Sequence, residues 1–117
     1  MRFAVVQSLL LPKPIAFEAG SSELPAKAAP LLEKVAATLG AHPGIDLLIE
    51  GHCDKREGEP TETSRRRAAA VKKWLASHGV RCAISVQPCG GGHPVATNLT
   101  AAGRRHNRRV EMQLRVR

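Results

Sequence analysis

The spacing of apolar residues switches between the period of a strand and the period of a helix, and the order of these switches is what most constrains the fold. Residues 44–52 alternate Ile45, Leu47 and Ile49 with a more polar set, as in a strand with one buried face. Residues 63–78 instead repeat side chains every three or four positions, which predicts a helix with one buried face formed by Ala68, Val71, Leu75 and His78. Strands and helices therefore alternate within this chain.

The same pattern predicts six elements in the order β, α, β, α, β, β. Ser22 is the expected cap of the first helix and Gly40 its end, although Pro30 favours a start nearer the middle of that segment. Residues 100–107 are expected to form at most a short helical turn. The predicted elements are a strand over 14–18, a helix over 22–40, a strand over 44–52, a helix from Thr63 to His78, a strand over 82–88 and a strand over 108–117.

Only one side of each predicted strand is strongly apolar, which indicates a sheet covered on one face. We therefore predict an α+β fold, a two-layer βαβαββ domain in which two main helices pack on one face of a mixed four-stranded sheet. No repeat or linker divides the chain, so we expect one domain with a core over 13–117 and an N-terminal extension over 1–12. Crossover connections should bring Asp54 and Arg67 to the same edge of the sheet.

Positive charge is concentrated in the second half of the chain. Residues 1–54 carry four basic and six acidic side chains, whereas residues 55–117 carry fourteen basic and four acidic ones, within a net charge of +8. This field favours an anionic partner, such as nucleic acid, an anionic membrane or a cell-wall polymer. The three aromatic residues, Phe3, Phe17 and Trp74, offer few surfaces for stacking bases, which argues against nucleic acid.

The first fourteen residues resemble a secretory signal only superficially, because no small-residue cleavage site follows their apolar run. We expect residues 1–12 to be part of the fold or the remnant of a longer protein. No apolar run reaches the roughly 18 residues of a membrane span.

Cysteine and histidine residues provide little support for a metal site or an active site. Cys53, Cys82 and Cys89 cannot all pair with one another, and no Cys-x-x-Cys spacing is present. His52 and Cys53 could combine with Cys89 and His93 as soft ligands, but the two pairs lie in separate predicted loops. We therefore expect no metal, no cofactor and no catalytic cysteine, since no orienting third group can be named.

Four segments in this order resemble the C-terminal domain of the OmpA family, which is shared with peptidoglycan-associated lipoproteins and flagellar stator proteins. The segments are "PIAFEAGSSEL", "LLIEGHCD", "SRRRAAAVKKWLASHGV" and "GRRHNRRVEMQL". The resemblance covers roughly residues 12–117. It implies a non-enzymatic, noncovalent peptidoglycan-binding module that tethers a larger envelope or motility protein to the cell wall.

The resemblance also implies a binding pair. Asp54 matches the family's acid and Arg67 its arginine, which grip the ammonium and the carboxylate of diaminopimelate in the wall peptide. A guanidinium fork suits a carboxylate, so the chemistry agrees. The residues alone, without the resemblance, favour a different interpretation, in which Asp54 caps a turn and Arg67 forms a surface ion pair. Replacing Arg67 with Ala is expected to abolish binding and leave folding intact.

Three more ligand-binding candidates follow from the same resemblance. Asn107 and Arg108 match the family's Asn-Arg-Arg, and Phe17 matches the aromatic residue beneath the site. The alternatives are that an arginine of this motif holds a loop on the sheet and that Phe17 belongs to the core. The loop between Asp54 and Arg67 is shorter than the family pattern and lacks the Asn that often helps to hold the peptide.

A second hypothesis comes from a different functional class. The basic second half, the three cysteines and the altered loop allow the fold to serve inside the cell as a protein-interaction or polyanion-binding domain. The first hypothesis places the protein in the periplasm or cell envelope, the second in the cytoplasm. A homodimer is an open alternative under both.

Overall fold

The computed structural model of the protein describes residues 12–116, so nearly all of the predicted N-terminal extension lies outside the described residues, as does Arg117. The elements follow the predicted order, with one additional helix before the last strand. They are β1 (Ile15–Ala16), a 3-10 turn (Ala26–Ala28), α1 (Ala29–Ala41), β2 (Ile45–Gly51), α2 (Pro60–Ser77), β3 (Ile84–Pro88), α3 (Ala101–Asn107) and β4 (Arg109–Val116).

The four strands form one mixed sheet in the order β1, β4, β2, β3. β4 runs antiparallel to both β1 and β2, and β2 runs parallel to β3. Leu47 of β2 lies opposite Leu114 of β4 and Ile84 of β3. The α+β fold class and the mixed four-stranded sheet are therefore confirmed.

The hydrophobic core lies between the sheet and the two long helices, and alternate residues of β2 and β4 face it. Its members are almost all aliphatic and are less than about one tenth exposed, as expected for a packed interior. They include Leu32, Val35 and Leu39 of α1, Ala68, Val71 and Leu75 of α2, Ile45, Leu47 and Ile49 of β2, and Val110 and Met112 of β4.

The prediction that His78 shares the buried face of α2 is wrong. The helix ends at Ser77, and His78 leaves the helical path as its C-cap. Its ring is exposed and stacks on Trp74, with ring centroids 3.6 Å apart. The apolar period of α2 therefore ends one turn earlier than the sequence pattern suggested.

Proline and threonine explain where the helices differ from the predicted bounds. α1 begins at Ala29, with Pro30 in its first turn, where a missing N–H costs no helical hydrogen bond. α2 begins at Pro60 for the same reason, three residues before the predicted start. α3 is a seven-residue helix rather than a single turn, because the Thr100 hydroxyl accepts a hydrogen bond from the Gly103 amide at 3.0 Å.

Close packing of α2 on β2 sets the position of the candidate site. A Cβ atom added at Gly51 would lie 1.8 Å from the Ser64 carbonyl oxygen, so only glycine allows this approach. Ser64 is fully buried and its hydroxyl accepts a hydrogen bond from the Gly90 amide at 3.1 Å. The first turns of α2 are thereby held against the end of the sheet. Within residues 12–116, none of the helices has the length and hydropathy needed to cross a bilayer.

Candidate ligand-binding site at the end of strand β2

Arg67 is the centre of the candidate site. Its side chain is fully buried, and both Nη atoms donate to the carboxylate of Glu57, Nη1 at 2.7 Å from Oε1. The rest of the guanidinium donates to backbone carbonyls, with Nε 2.8 Å from Ser21 O, Nη2 3.1 Å from Glu18 O and Nη1 3.1 Å from His52 O. The guanidinium therefore ties α2 to the segments that follow β1 and β2.

Glu57 is the functional residue that the sequence interpretation missed. Besides the Arg67 fork, its carboxylate accepts hydrogen bonds from the amide of Gly20 at 2.7 Å and the amide of Asp54 at 3.1 Å. Burial alone raises the pKa of Glu57, but the hydrogen bonds from Arg67 and the two amides outweigh burial and lower that pKa overall. These donors together form a receptor for one carboxylate.

Asp54 lies beside this receptor with its own partner. The side chain is buried, Oδ2 accepts from Arg108 Nη1 at 3.0 Å, and Oδ1 accepts from the Arg56 amide at 2.7 Å. The second contact closes the turn that the alternative interpretation assigned to Asp54. Asp54 and Arg67 share one hydrogen-bond acceptor, because the Asp54 amide and the Arg67 guanidinium both donate to Glu57 Oε1.

Arg108 connects the buried site to the surface. Its Nε donates to the Phe17 carbonyl at 2.9 Å, and about 10% of its side chain remains exposed. That exposed part lines a shallow surface groove with Ala19, Arg104 and Arg105. The groove is strongly basic, and Arg108 connects it to Asp54, because Arg108 lines the groove and also donates to the Asp54 carboxylate.

Phe17 and Asn107 are buried and lie behind the site. The Phe17 ring packs with its centroid 5.4 Å from the Arg67 guanidinium carbon. Asn107 Oδ1 accepts from the amides of Val95 and Ala96, and its Nδ2 donates to the Ala96 carbonyl. The Asn107 amide is bonded to the backbone of a loop and Phe17 has no polar atom in its side chain, which favours supporting roles for both.

Arg109 holds the glycine-rich loop after β3, residues 89–100, on the sheet. This is the alternative that the sequence left open for this motif. Its Nη2 donates to the His93 carbonyl at 3.0 Å and its Nη1 to the Asn107 carbonyl at 3.3 Å. The adjacent arginines of the motif thus differ in function: Arg108 pairs with Asp54 and Arg109 fixes the loop.

The structure contradicts the premise that Arg67 is a surface residue, on which the expectation of intact folding after its replacement depends. That expectation treated Arg67 as a surface residue, whereas its side chain is 0% exposed and that of its partner Glu57 is 5% exposed. Removing one member of a buried ion pair leaves the other charge without compensation. By contrast, Arg65 and Arg66 are exposed and pair with Glu62 at the surface.

Cys53 does not have the properties of a nucleophile. Its Sγ lies 3.2 Å from the Pro60 carbonyl and points toward α2. Burial raises the pKa of the Cys53 thiol to about 11, so the thiol stays protonated at neutral pH.

Comparison with known proteins identifies the family of this chain. The model of the OmpA family matches residues 16–108. The probable lipoprotein YiaD of Escherichia coli is 33% identical over 109 residues, which cover 91% of this chain and 50% of YiaD. The peptidoglycan-binding protein ArfA of Mycobacterium tuberculosis is 38% identical over 103 residues, covering 85% of this chain and 31% of ArfA.

A solved structure with the same architecture is the peptidoglycan-associated lipoprotein of Burkholderia pseudomallei. It superposes with a TM-score of 0.84 at 26% identity, over 88% of this chain and 90% of that one. The chain spans half or less of the length of the two curated relatives. The family match covers most of the chain and both relatives exceed 30% identity, so this protein belongs to the OmpA family.

Proposed function

We propose that this chain is a noncovalent peptidoglycan-binding module that holds the diaminopimelate end of wall peptide stems. The observation that carries the proposal is the carboxylate receptor formed by the Arg67 fork and the amides of Gly20 and Asp54, with the Asp54 carboxylate beside it. Membership of the OmpA family and the names of ArfA and of the peptidoglycan-associated lipoprotein support it.

The proposed ligand has the charges that this site can match. The free end of diaminopimelate carries an ammonium and a carboxylate on one carbon. Arg67 and the two amides take the carboxylate through charge-assisted hydrogen bonds, and Asp54 takes the ammonium. A lysine side chain offers only an ammonium, so it would leave the Arg67 receptor without a ligand carboxylate. The paired charges therefore favour diaminopimelate.

Binding requires two ion pairs within the protein to break and two ion pairs between protein and ligand to form. Without ligand, Glu57 neutralises Arg67 and Arg108 neutralises Asp54. The ligand carboxylate replaces that of Glu57, and the ligand ammonium replaces the Arg108 guanidinium at Asp54. Glu57 thus acts as an internal competitor that lowers the affinity for the stem peptide.

The basic groove can hold the displaced Arg108 guanidinium and the rest of the stem peptide at the surface. Arg108 already reaches this groove, and Arg104 and Arg105 line it. Peptide stems carry further carboxylates, which this field attracts. Phe17 supports Arg67 from below and Asn107 shapes the neighbouring loop, so both act on the ligand indirectly.

The whole protein is proposed to reside in the cell envelope and to be tethered to the wall by this domain. The relatives support this location, since YiaD is named a lipoprotein and the Burkholderia protein a peptidoglycan-associated lipoprotein. The intracellular alternative receives no support from them.

Sedimentation with purified cell walls tests the proposal. The wild-type domain should be retained by walls with diaminopimelate stems at both low and high salt, and weakly by walls with lysine stems. Asp54→Asn and Arg67→Lys should lose retention, whereas the exposed controls Glu23→Gln and Arg65→Lys should keep it. Retention that high salt abolishes and that neither site variant changes would instead indicate general polyanion binding.

A further inference from the structure

A second polar cluster lies on the sheet face opposite α1 and α2. Ile49 and Gly51 of β2 face the helices, so Glu50 and His52 point to the other side. In the parallel register of β2 and β3, Glu50 pairs with Gln87 and Gly51 with Pro88. Extending this register by one residue places Cys89 beside His52.

The His52 ring is buried without a hydrogen-bond partner among the described residues. Only 3% of the residue is exposed, and neither ring nitrogen has a partner within residues 12–116. Its Nε2 lies 3.8 Å from Glu50 Oε1, which is too long for a hydrogen bond. A buried polar group without a partner is unfavourable and rare in native proteins, so it needs an explanation.

The His52 ring offers the kind of nitrogen that binds metals. A neutral imidazole nitrogen is a common metal ligand. The His93 ring stands edge-on to it, with centroids 6.0 Å apart.

Three different ligand atoms converge at this place. A ring nitrogen of His52, a carboxylate oxygen of Glu50 and the sulfur of Cys89 lie within 4.8 Å of one another. Tetrahedral zinc, with bonds of about 2.0–2.3 Å, holds its ligand atoms about 3.3–3.8 Å apart. A contraction of about 1 Å, within the reach of side-chain rotation, brings these atoms to bonding distance.

The local charge also favours a cation. Glu50 lies directly opposite Glu111 across β2 and β4, an arrangement in which like charges repel. Arg109 neutralises Glu111 through a hydrogen bond of 2.5 Å from its Nε. The only hydrogen bond found for the Glu50 side chain in the described part of the chain comes from Gln113 at 3.5 Å, so its charge is weakly compensated.

From these contacts we propose that Glu50, His52 and Cys89 bind one divalent cation of the zinc class, with the fourth position open to water. Imidazole, thiolate and carboxylate together suit zinc, whereas magnesium and calcium prefer oxygen ligands alone. Cys89 loses its thiol proton to solvent as the sulfur–metal bond forms. The sequence interpretation expected no metal and considered Cys53 beside His52, but Cys53 points instead to Pro60 and takes no part.

This inference is independent of the proposed peptidoglycan function, since the two clusters share no ligating side chain. Cys89 and Glu50 are only partly buried and can be replaced with little change to the core. Cys82 is a matched control, because it is also partly buried and lies outside the cluster.

Cobalt and zinc titrations of the reduced, metal-free chain test the site. The wild type should bind one equivalent of Co²⁺ with a sulfur-to-cobalt charge-transfer band and tetrahedral d–d bands, and Zn²⁺ should displace it and raise the Tm. Cys89→Ser should lose the charge-transfer band, Glu50→Gln should weaken Zn²⁺ binding at least tenfold in competition with a chromophoric chelator, and Cys82→Ser should behave as wild type.

Three results would overturn the inference. The first is the absence of stoichiometric binding by the folded wild type. The second is a charge-transfer band that persists in Cys89→Ser, and the third is one that disappears in Cys82→Ser. A change of fold is excluded separately by comparing the circular dichroism spectra of all variants.

Discussion

Arg67 and Glu57 form a two-pronged ion pair that is closed to solvent, with side-chain exposures of 0% and 5%. The pair ties α2 to the segments that follow β1 and β2, so it holds the fold together and also occupies the receptor proposed for the ligand. This double role separates it from the exposed pairs of Arg65 and Arg66 with Glu62. Stability and binding should therefore both respond to changes at Arg67 and Glu57.

Arg67→Ala should lower the free energy of unfolding by about 3–5 kcal/mol, because Glu57 would be left as a buried charge without a partner. Three backbone carbonyls would also lose their donors. Urea unfolding measures the effect, and Arg65→Ala should change stability by no more than about 0.5 kcal/mol. Equal losses for the two variants would show that the buried pair adds no stability.

Glu57 should make stability depend on acid pH. Its pKa is lowered in the folded protein, so its contribution is complete above the unfolded pKa of about 4.3 and is lost as the pH falls through the lower folded value. Glu57→Gln should therefore be less stable than the wild type at pH 7, and the difference should shrink toward pH 3. Thermal unfolding across this range measures it, with the more exposed Glu62→Gln as control.

A difference between wild type and Glu57→Gln that stays constant with pH would contradict this assignment. The same titration of Glu62→Gln should follow the wild-type curve closely, since about 41% of the Glu62 side chain is exposed and its ion pairs are screened.

Gly51→Ala should destabilise the protein by about 3 kcal/mol or more, because overpacking in a rigid contact forces the backbone to move. The added Cβ would meet the Ser64 carbonyl oxygen at 1.8 Å. Gly44→Ala is the matched control, since its Cβ would meet no atom within 4 Å. Chemical denaturation of both variants checks the prediction, which a Gly51→Ala protein as stable as Gly44→Ala would contradict.

Glu59→Gly should stabilise the protein by about 0.5–1 kcal/mol. Glu59 has φ 48° and ψ 58°, a left-handed conformation that costs a side-chain-bearing residue about 1–2 kcal/mol and a glycine almost nothing. Glu59→Ala keeps the strain and should bring no gain. Equilibrium unfolding separates the two, and equal stabilities for Gly and Ala at this position would show that the turn is unstrained.

The sequence predicts the scaffold well because burial imposes a visible period. β2 and α2 appear in the alternation of Ile45, Leu47 and Ile49 and in the helical spacing of Ala68 and Val71, and both sets are buried. The sequence predicts only a short turn where α3 lies, because the α3 residues are mostly polar and carry no apolar period. The stability of α3 depends instead on the Thr100 cap.

The site could be predicted only in part, because its contacts depend on how loops fold back. The motif identified Asp54, Arg67 and Arg108, which the structure brings to one place, but it indicated no partner for Arg67. Glu57 lies ten residues before Arg67, and no periodic pattern connects them. The available signal was the presence of Glu57 in the shortened loop. A buried arginine needs an acidic partner, and Glu57 is an acid close to Arg67 in the sequence.

The most direct test of this account is calorimetric titration of the domain with a soluble stem peptide that ends in diaminopimelate. Glu57→Gln should bind about tenfold more tightly than the wild type, a gain of about 1.4 kcal/mol, because a neutral amide competes less for Arg67. Asp54→Asn should bind far more weakly. Equal or weaker binding by a folded Glu57→Gln protein would contradict the claim that the ligand carboxylate replaces Glu57 at Arg67.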